Sequence, residues 1–263
     1  MVYLTRGIVL FYDFIQRRIA PVRELTLSLD AMRLKLWVTL AGQPDPNTGM
    51  LLNVARVSRM VRESLAEYEY KTPNTAYSLL RWSLPALRDK FPGFDVTQVM
   101  LEMDDRVRVV LPSGEEDMVE VTVIYELAAS HCLRNSRWDA GRNVEEFGKC
   151  SNPAGHGHNY KLEVILRGKP DKNTGQLTAV GIADLIVGEN ILRRFDHKNL
   201  NADCPEFREL MPTVENMARV FWELLDGKFG DARLQRIRVW ETANTCADYF
   251  GPAAGELRYS DTV

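Results

Sequence analysis

The strongest constraint on this chain is an internal repeat. The run Gly42-Gln-Pro-Asp-Pro-Asn-Thr-Gly49 returns 126 positions later as Gly168-Lys-Pro-Asp-Lys-Asn-Thr-Gly175, with six of the eight residues identical. Residues of these types favour turns for local reasons, so the match alone would be a weak sign. In both halves, however, the run follows a β-like apolar segment, 32–40 or 160–166, and precedes two helical patterns. The shared order of elements indicates a duplicated domain.

A domain boundary is predicted near residue 115. At 263 residues, the chain is long for one compact domain and comfortable for two. Residues 112–117, Pro-Ser-Gly-Glu-Glu-Asp, are polar and turn-rich, and they separate two halves that each begin with an apolar β-like run. We therefore predict one domain over 1–115 and a second over 116–263.

The pattern of each half predicts an α+β fold. Each half reads as two strands, a turn, two amphipathic helices and a closing pair of strands, which does not match a doubly wound parallel sheet. In the second half, residues 119–127 and 161–166 have the β-branched pattern of strands. A helix is predicted over 180–194, with an apolar face made of Ile182, Leu185, Ile186, Ile191 and Leu192. A second helix is predicted from Thr213, its cap, to about residue 228.

Composition excludes several classes of function. The formal net charge is −3 and the basic residues are scattered, so we expect no nucleic-acid partner. The sequence has no apolar run of about 18 residues and no leader pattern at its N-terminus, so we expect a cytoplasmic protein with no membrane partner. Its four cysteines lack CxxC spacing and do not resemble a secreted disulfide framework.

All four histidines lie in the second half, at positions 131, 156, 158 and 197. His156 and His158 are two residues apart at the start of a β-like run, so the period of a strand places both on one face. His131 ends the preceding strand and could complete a His₃ set, which leaves a catalytic zinc with an open position. The alternative is a pair of exposed strand histidines and one core histidine, and HxH alone does not decide between them.

Three more positions are chemical candidates. Cys150 lies six residues before His156, where a nearby dication or imidazole could make its thiol a base, although a lone cysteine is more often structural. Asp196 and His197 are adjacent and could form a carboxylate–imidazole relay, although neighbours in sequence do not face each other automatically. Glu241 ends an apolar strand, where a carboxylate can grip a guanidine-like edge or can simply be solvated.

Together these residues resemble the 6-pyruvoyl-tetrahydropterin synthase family. The resemblance spans roughly residues 119–257, essentially the second half. It rests on the order and spacing of His131, of Cys150-x-Asn152-Pro153-x-Gly155-His156-Gly157-His158-Asn159-Tyr160, of Asp196-His197-Lys198-Asn199-Leu200 and of Val239-Trp240-Glu241-Thr242.

The resemblance implies a role for each matching residue. The zinc ligands would be His131, His156 and His158. The base would be Cys150, which would work with the pair Asp196 and His197. The pterin ring would be anchored by Glu241, and Thr213 and Glu215 would help to line the pocket.

The resemblance also implies a reaction and an assembly. Family members convert 7,8-dihydroneopterin triphosphate to 6-pyruvoyl-tetrahydropterin with loss of triphosphate, a carbon–oxygen lyase reaction in which zinc acts as a Lewis acid on the side-chain hydroxyls. The implied architecture is the tunnelling fold, in which each domain has an antiparallel four-stranded sheet with two helices on one face. Several subunits close the barrel, and two domains per chain imply a homo-oligomer of three chains.

The first half lacks the residues on which this chemistry depends. It contains no histidine and no cysteine, and Ala76 aligns with Glu215. Glu102 alone aligns with a site residue, Glu241, and we expect it to be a solvated carboxylate and not a second pterin anchor. The first half is therefore expected to be a degenerate, non-catalytic copy that completes the barrel.

Two other functions stay open. One is a related branch of the family, which makes 6-carboxy-tetrahydropterin on the way to deazapurines such as queuosine. The five residues between Cys150 and His156, which include Asn152-Pro153, favour the pyruvoyl-forming type. The other is a non-catalytic pterin-binding protein, which is disfavoured because Cys150, Asp196 and His197 are all present.

Overall fold

The computed structural model describes residues 1–13, 18–20, 31–68 and 75–252. The chain divides into two compact units: unit 1 comprises residues 1–122 and 167–177, and unit 2 comprises residues 123–166 and 178–263. In the described part of the chain, no helix is long and apolar enough to cross a bilayer.

Unit 1 is an antiparallel sheet with two helices. Its strands are β1 (Val2–Asp13), β2 (Arg18–Ala20), β3 (Ala31–Gly42), β4 (Asp95–Glu102) and β5 (Val107–Pro112), and its helices are α1 (Val54–Ala66) and α2 (Ala76–Lys90). The strands lie in the order β2-β1-β3-β4-β5, and each neighbouring pair is antiparallel.

The core of unit 1 lies between this sheet and the two helices. α1 begins at Asn53, whose side chain accepts hydrogen bonds from two backbone N–H groups of the first turn. α2 begins at Thr75, which forms a capping box with Ser78. Each helix buries one apolar stripe. The stripe of α1 is made of Val57, Val61 and Leu65, and that of α2 is made of Leu80, Leu84 and Leu87.

Unit 2 has the same mixed α and β character. The elements that lie wholly or mostly in it are β6 (Val119–His131), α3 (Ala140–Phe147), β7 (His156–Gly168), α4 (Val180–Val187), α5 (Arg193–Phe195), β8 (Lys198–Asn199), α6 (Leu200–Asp203), α7 (Val214–Leu225), β9 (Arg233–Thr242) and β10 (Thr245–Tyr249). The strand order is β10-β9-β7-β6, with β8 parallel to β6. α7 packs on β9 and β10, and Met217, Phe221 and Leu225 are fully buried.

The helix predicted over 180–194 is present, but its buried face differs from the predicted one. α4, a π-helical turn over Gly188–Leu192 and α5 follow one another without a break. The buried positions, Ala183, Val187 and Ile191, are four residues apart. That spacing turns Ile182 and Leu185 away from the core, and they are 52% and 70% exposed. The prediction that these two belong to the packed face is therefore wrong.

The repeated eight-residue run forms the same turn in both places. A side-chain oxygen of Asp45 accepts hydrogen bonds from the N–H groups two and three residues later, and Asp171 makes the same two bonds. Gly49 and Gly175 close the turns in the left-handed region, with φ of 68° and 64°. Each turn connects a long strand to a helix, as the sequence pattern predicts.

Candidate metal centre

Four side chains of unit 2 bring potential metal ligands together. The ligand atoms of His131, Cys150, His156 and His158 all lie within 4.8 Å of one another. His131 is the last residue of β6, and His156 is the first residue of β7. His158 follows on the same face of β7, so the three rings are adjacent, with centroid distances of 4.6–5.0 Å. The structure thus brings together the three histidines that the sequence grouped.

A glycine allows the ends of β6 and β7 to approach this closely. Gly155 has φ of 70°, and a Cβ built on it would lie 2.9 Å from the carbonyl oxygen of His131. Any larger residue here would therefore meet both backbone strain and a clash with the end of β6.

One nitrogen of each of the three histidines is buried without a hydrogen-bond partner: His131 Nε2, His156 Nδ1 and His158 Nε2. Such burial costs about 1–3 kcal/mol for each polar group, so three together need an explanation. His131 Nδ1 lies 3.0 Å from the carbonyl oxygen of Pro212, which places the proton on Nδ1 and the lone pair on Nε2. Three such buried nitrogens beside a thiol fit a divalent metal such as zinc.

The local electrostatics favour the neutral imidazole that a metal requires. Burial lowers the pKa of His131 below its ordinary value, against the opposing effects of the Pro212 carbonyl and Glu241. Burial likewise lowers the pKa of His158. Both rings are therefore neutral near pH 7, the protonation state in which imidazole binds metal.

Glu241 lies against the same cluster. Its Oε1 is 3.4 Å from His131 Nε2 and 3.5 Å from His158 Nε2, and its side chain is 16% exposed. The residue is close to the end of β9, as the sequence predicts. The carboxylate that sequence analysis singled out thus lies beside two of the imidazole nitrogens that have no hydrogen-bond partner.

Cys150 lies in a short 3₁₀ turn, Gly148–Ser151, after α3. The backbone N–H of Leu133 donates to the Cys150 carbonyl at 2.8 Å, which ties the turn to the end of β6. Burial, followed by the charges of Glu241 and Cys132, raises the pKa of the Cys150 thiol. A positive charge bound by the three imidazoles would instead lower the pKa of this thiol.

Asp196 and His197 do face each other. His197 Nδ1 is 3.0 Å from Asp196 Oδ2, and His197 adopts a left-handed φ of 58° with its side chain 81% exposed. Burial raises the pKa of Asp196, but the N–H of Ala128 and the ring of His197 outweigh it and hold that pKa below its ordinary value. His158 and His197 line the same surface cavity, of about 440 Å³. The cavity thus brings one residue of the pair, His197, to the same surface as one residue of the cluster, His158.

The two remaining predicted site residues lie at the start of α7. Thr213 caps the helix, since its side-chain oxygen accepts from the N–H of Asn216. Glu215 is exposed in the first turn and is not part of the cluster that the described residues form. This segment is linked to the cluster by Pro212, whose carbonyl binds His131.

Sequence reasoning missed two supports of His131. The hydroxyl of Tyr160 lies 3.3 Å from His131 Nδ1, and Tyr160 is fully buried. Its position two residues after His158, on the same strand face, was a signal that could have identified it. Pro212 gave no such signal, because it acts through a backbone carbonyl 81 residues away in sequence.

In unit 1, the carboxylate that aligns with Glu241 is already engaged. Glu102 Oε2 accepts a hydrogen bond from the indole Nε1 of Trp37 at 3.0 Å. The expectation of a merely solvated carboxylate is therefore corrected, because the group is half-buried and bonded across neighbouring strands.

Comparison of the sequence with known protein families matches the part of the chain that contains the cluster. The model of the family described as 6-pyruvoyl tetrahydropterin synthase matches residues 120–252, half of the chain. The chain belongs to this family. The match covers β6 to β10 and includes all of the residues of the cluster.

Individual proteins with pterin synthase names match about half of the chain or somewhat less. The human protein named 6-pyruvoyl tetrahydrobiopterin synthase is 36% identical over 140 residues, which are 52% of this chain and 95% of that protein. A putative 6-carboxy-5,6,7,8-tetrahydropterin synthase of Archaeoglobus fulgidus is 30% identical over 115 residues, 43% of this chain and 90% of that protein. The solved 6-pyruvoyl tetrahydropterin synthase of Caenorhabditis elegans is 30% identical, with a TM-score of 0.48, over 51% of this chain and 96% of that one.

Proposed function

We propose that this chain is a zinc-dependent 6-pyruvoyl-tetrahydropterin synthase, a carbon–oxygen lyase that converts 7,8-dihydroneopterin triphosphate to 6-pyruvoyl-tetrahydropterin and releases triphosphate. One observation carries the proposal: three buried, unpaired imidazole nitrogens lie together beside a thiol and a carboxylate. Family membership supports the choice of a pterin substrate.

The metal would be held by His131, His156 and His158, through the one buried nitrogen of each ring that has no hydrogen-bond partner. Zinc would supply Lewis-acid polarisation of the substrate's side-chain hydroxyls and positive charge beside the thiol. Pro212 and Tyr160 fix the ring of His131, so its lone pair points away from both. These contacts set the direction of the ligand before any metal binds.

Cys150 is proposed as the base that removes a proton from a carbinol carbon of the substrate side chain. Its Sγ lies within 4.8 Å of the ligand atoms of the histidines, close enough for substrate bound at the cluster. The raised pKa keeps the bare thiol protonated near pH 7, so the thiolate would form only in the loaded site.

Glu241 is proposed to anchor the pterin through the amino and ring N–H groups, which form a planar donor pair that matches a carboxylate. Its side chain is mostly buried, and burial strengthens such a bond. Thr213 and Glu215 would line the pocket from the start of α7.

Asp196 and His197 are proposed to carry protons back to the substrate. The carboxylate binds Nδ1 of the imidazole, which leaves Nε2 to exchange protons at the cavity shared with His158. High exposure of the imidazole suits a group that must exchange protons with substrate or solvent.

We further propose that residues 1–115 are a degenerate copy of the synthase domain and that 116–263 are the catalytic domain, each with the tunnelling fold. The identical hydrogen-bonded turns at Asp45 and Asp171 support the duplication. Residues 253–263 lie outside the described part of the chain. The assembly would be a trimer of such chains.

The main alternative product is 6-carboxy-tetrahydropterin, because the chain is also similar to the putative 6-carboxy-5,6,7,8-tetrahydropterin synthase of Archaeoglobus fulgidus. A non-catalytic pterin-binding protein is the other alternative. Incubation of the zinc-loaded protein with 7,8-dihydroneopterin triphosphate, followed by mass analysis of the product, separates all three. We expect the mass of 6-pyruvoyl-tetrahydropterin together with released triphosphate. The carboxy product, or unchanged substrate, would refute the assignment.

A further inference from the structure

Residues 196–201 run along residues 128–132, which are the last four residues of β6 and the residue that follows the strand, and we call this contact the seam. At one end, a carboxylate oxygen of Asp196 accepts from the N–H of Ala128 at 2.8 Å, and the N–H of His197 donates to the Ala128 carbonyl at 2.6 Å. In the middle, β8 pairs in parallel with Ala129 and Ser130. The seam therefore connects the proposed proton carrier to the strand that ends at a proposed metal ligand.

The other end of the seam is closed by one side chain. Asn201 Oδ1 accepts from the N–H of Cys132 at 2.7 Å, and Asn201 Nδ2 donates to the Cys132 carbonyl at 3.0 Å. One amide thus satisfies both backbone groups of a single residue, as a neighbouring strand would. Asn201 is itself held, because the side chain of Asn199 accepts from its N–H at 3.0 Å.

Cys132 is the residue directly after His131, so the amide of Asn201 fixes the backbone at the point where the ligand leaves the strand. The ring of His131 is held on its Nδ1 side by Pro212 and Tyr160, but those contacts do not hold the backbone. Without the Asn201 amide, Cys132 would lose both of these backbone hydrogen bonds. The position of His131 Nε2 relative to the other imidazoles would then vary.

We propose that Asn201 is a positioning residue of the metal centre, which sets the place of His131 through the backbone of Cys132. The inference rests on the proposed function only in requiring that the cluster binds a divalent metal. It concerns a residue that touches neither metal nor substrate, so its effect should appear in affinity and in coordination geometry.

The test compares Asn201→Ala with the unchanged protein, using Zn²⁺ for affinity and Co²⁺ for the visible spectrum, which reports ligand geometry. We expect zinc affinity to fall by about 10-fold or more, the range found when outer supports of a ligand are removed, together with a changed cobalt spectrum. Asn201→Asp keeps the acceptor for the N–H of Cys132 but opposes its carbonyl, so it should not restore affinity. Asn190→Ala is the matched control, because Asn190 also donates from its amide to a backbone carbonyl, that of Ile186 at 2.7 Å, within unit 2.

Each outcome of this experiment either supports or overturns the inference about Asn201. Normal zinc affinity and an unchanged cobalt spectrum in Asn201→Ala would overturn the inference and leave the proposed function standing. Equal losses of affinity in Asn201→Ala and Asn190→Ala would overturn it too, since they would reflect general destabilisation, which thermal unfolding of the metal-free proteins would reveal. No zinc binding by the unchanged protein would overturn the inference and the proposed function together.

Discussion

At the scale of single residues, the site combines side chains that the sequence identifies with contacts that it does not. His156 and His158 could be placed on one face because a strand repeats every two residues, and both lie in the cluster. The contact between His131 and Pro212 could not be foreseen, because it depends on how a helix start packs against a strand end. Local spacing predicts neighbours on one element, whereas partners on different elements depend on the tertiary fold.

The variant Cys150→Ala distinguishes between two possible roles of Cys150, as a base and as a zinc ligand. We expect the variant to keep one zinc and to lose turnover, because three imidazole nitrogens remain as ligands while the proton acceptor is removed. Metal analysis and a steady-state assay on one preparation provide the measurement. Loss of zinc in the variant would make Cys150 a ligand, and a near-normal rate would remove it from the chemistry.

Glu241 and Glu102 make a matched pair, since they align in the two halves but have different surroundings. We expect Glu241→Gln to weaken pterin binding by about 1.5–3 kcal/mol, the usual contribution of a hydrogen bond to a charged group. Glu102→Gln should leave binding unchanged, because the carboxylate is already bonded to Trp37 and the amide oxygen can accept the same bond. Calorimetry measures both, and two pterins per chain, falling to one in Glu102→Gln, would show a second site.

At the scale of elements, the chain between β6 and β7 is held by one buried asparagine. Asn143 in α3 is fully buried. Its amide oxygen accepts from the N–H of Asn135, and its amide nitrogen donates to the carbonyls of Asn135, Trp138 and Asp139 at 2.8–3.1 Å. The segment that leads to Cys150 thus has an internal polar support.

Asn143→Ala should therefore lower the free energy of unfolding by at least about 2 kcal/mol, because it leaves several backbone groups without their partner. Urea denaturation measures the change. The control is Asn173→Ala in an exposed turn, which should stay within about 0.5 kcal/mol of the unchanged protein. Equal effects of the two substitutions would mean that Asn143 does not organise this segment.

The sequence predicts helices and strands well where the hydrophobic periodicity is strong. It predicts them poorly where short side-chain to backbone hydrogen bonds determine the local structure. The long strands, the helix after the repeated turn and the cap at Thr213 all follow from patterns in the sequence. α3 and α6 did not, since both are short and depend on side-chain to backbone bonds such as those of Asn143 and Asn199. The exposure of Leu185 was missed because a helix that is apolar on several sides gives no single face.

At the scale of the whole molecule, the proposed duplication predicts the number of chains in the assembly. If each half is one tunnelling-fold domain, three chains provide the six domains of two stacked three-domain rings. Light scattering of the purified protein should therefore give three times the mass of the chain. A monomer at working concentration would contradict the proposed assembly.

The central claim is that the second half is a zinc-dependent synthase, and one reconstitution measurement tests it most directly. Protein stripped of metal is titrated with zinc while the conversion of 7,8-dihydroneopterin triphosphate is followed by product mass. We predict no turnover without metal, full activity at one zinc per chain and the mass of 6-pyruvoyl-tetrahydropterin, because all histidines of the chain lie in the second half and only three of them form the cluster. His156→Ala should bind no zinc in the same titration. Turnover without metal, saturation at two zinc ions per chain, or no product at any zinc concentration would contradict the account.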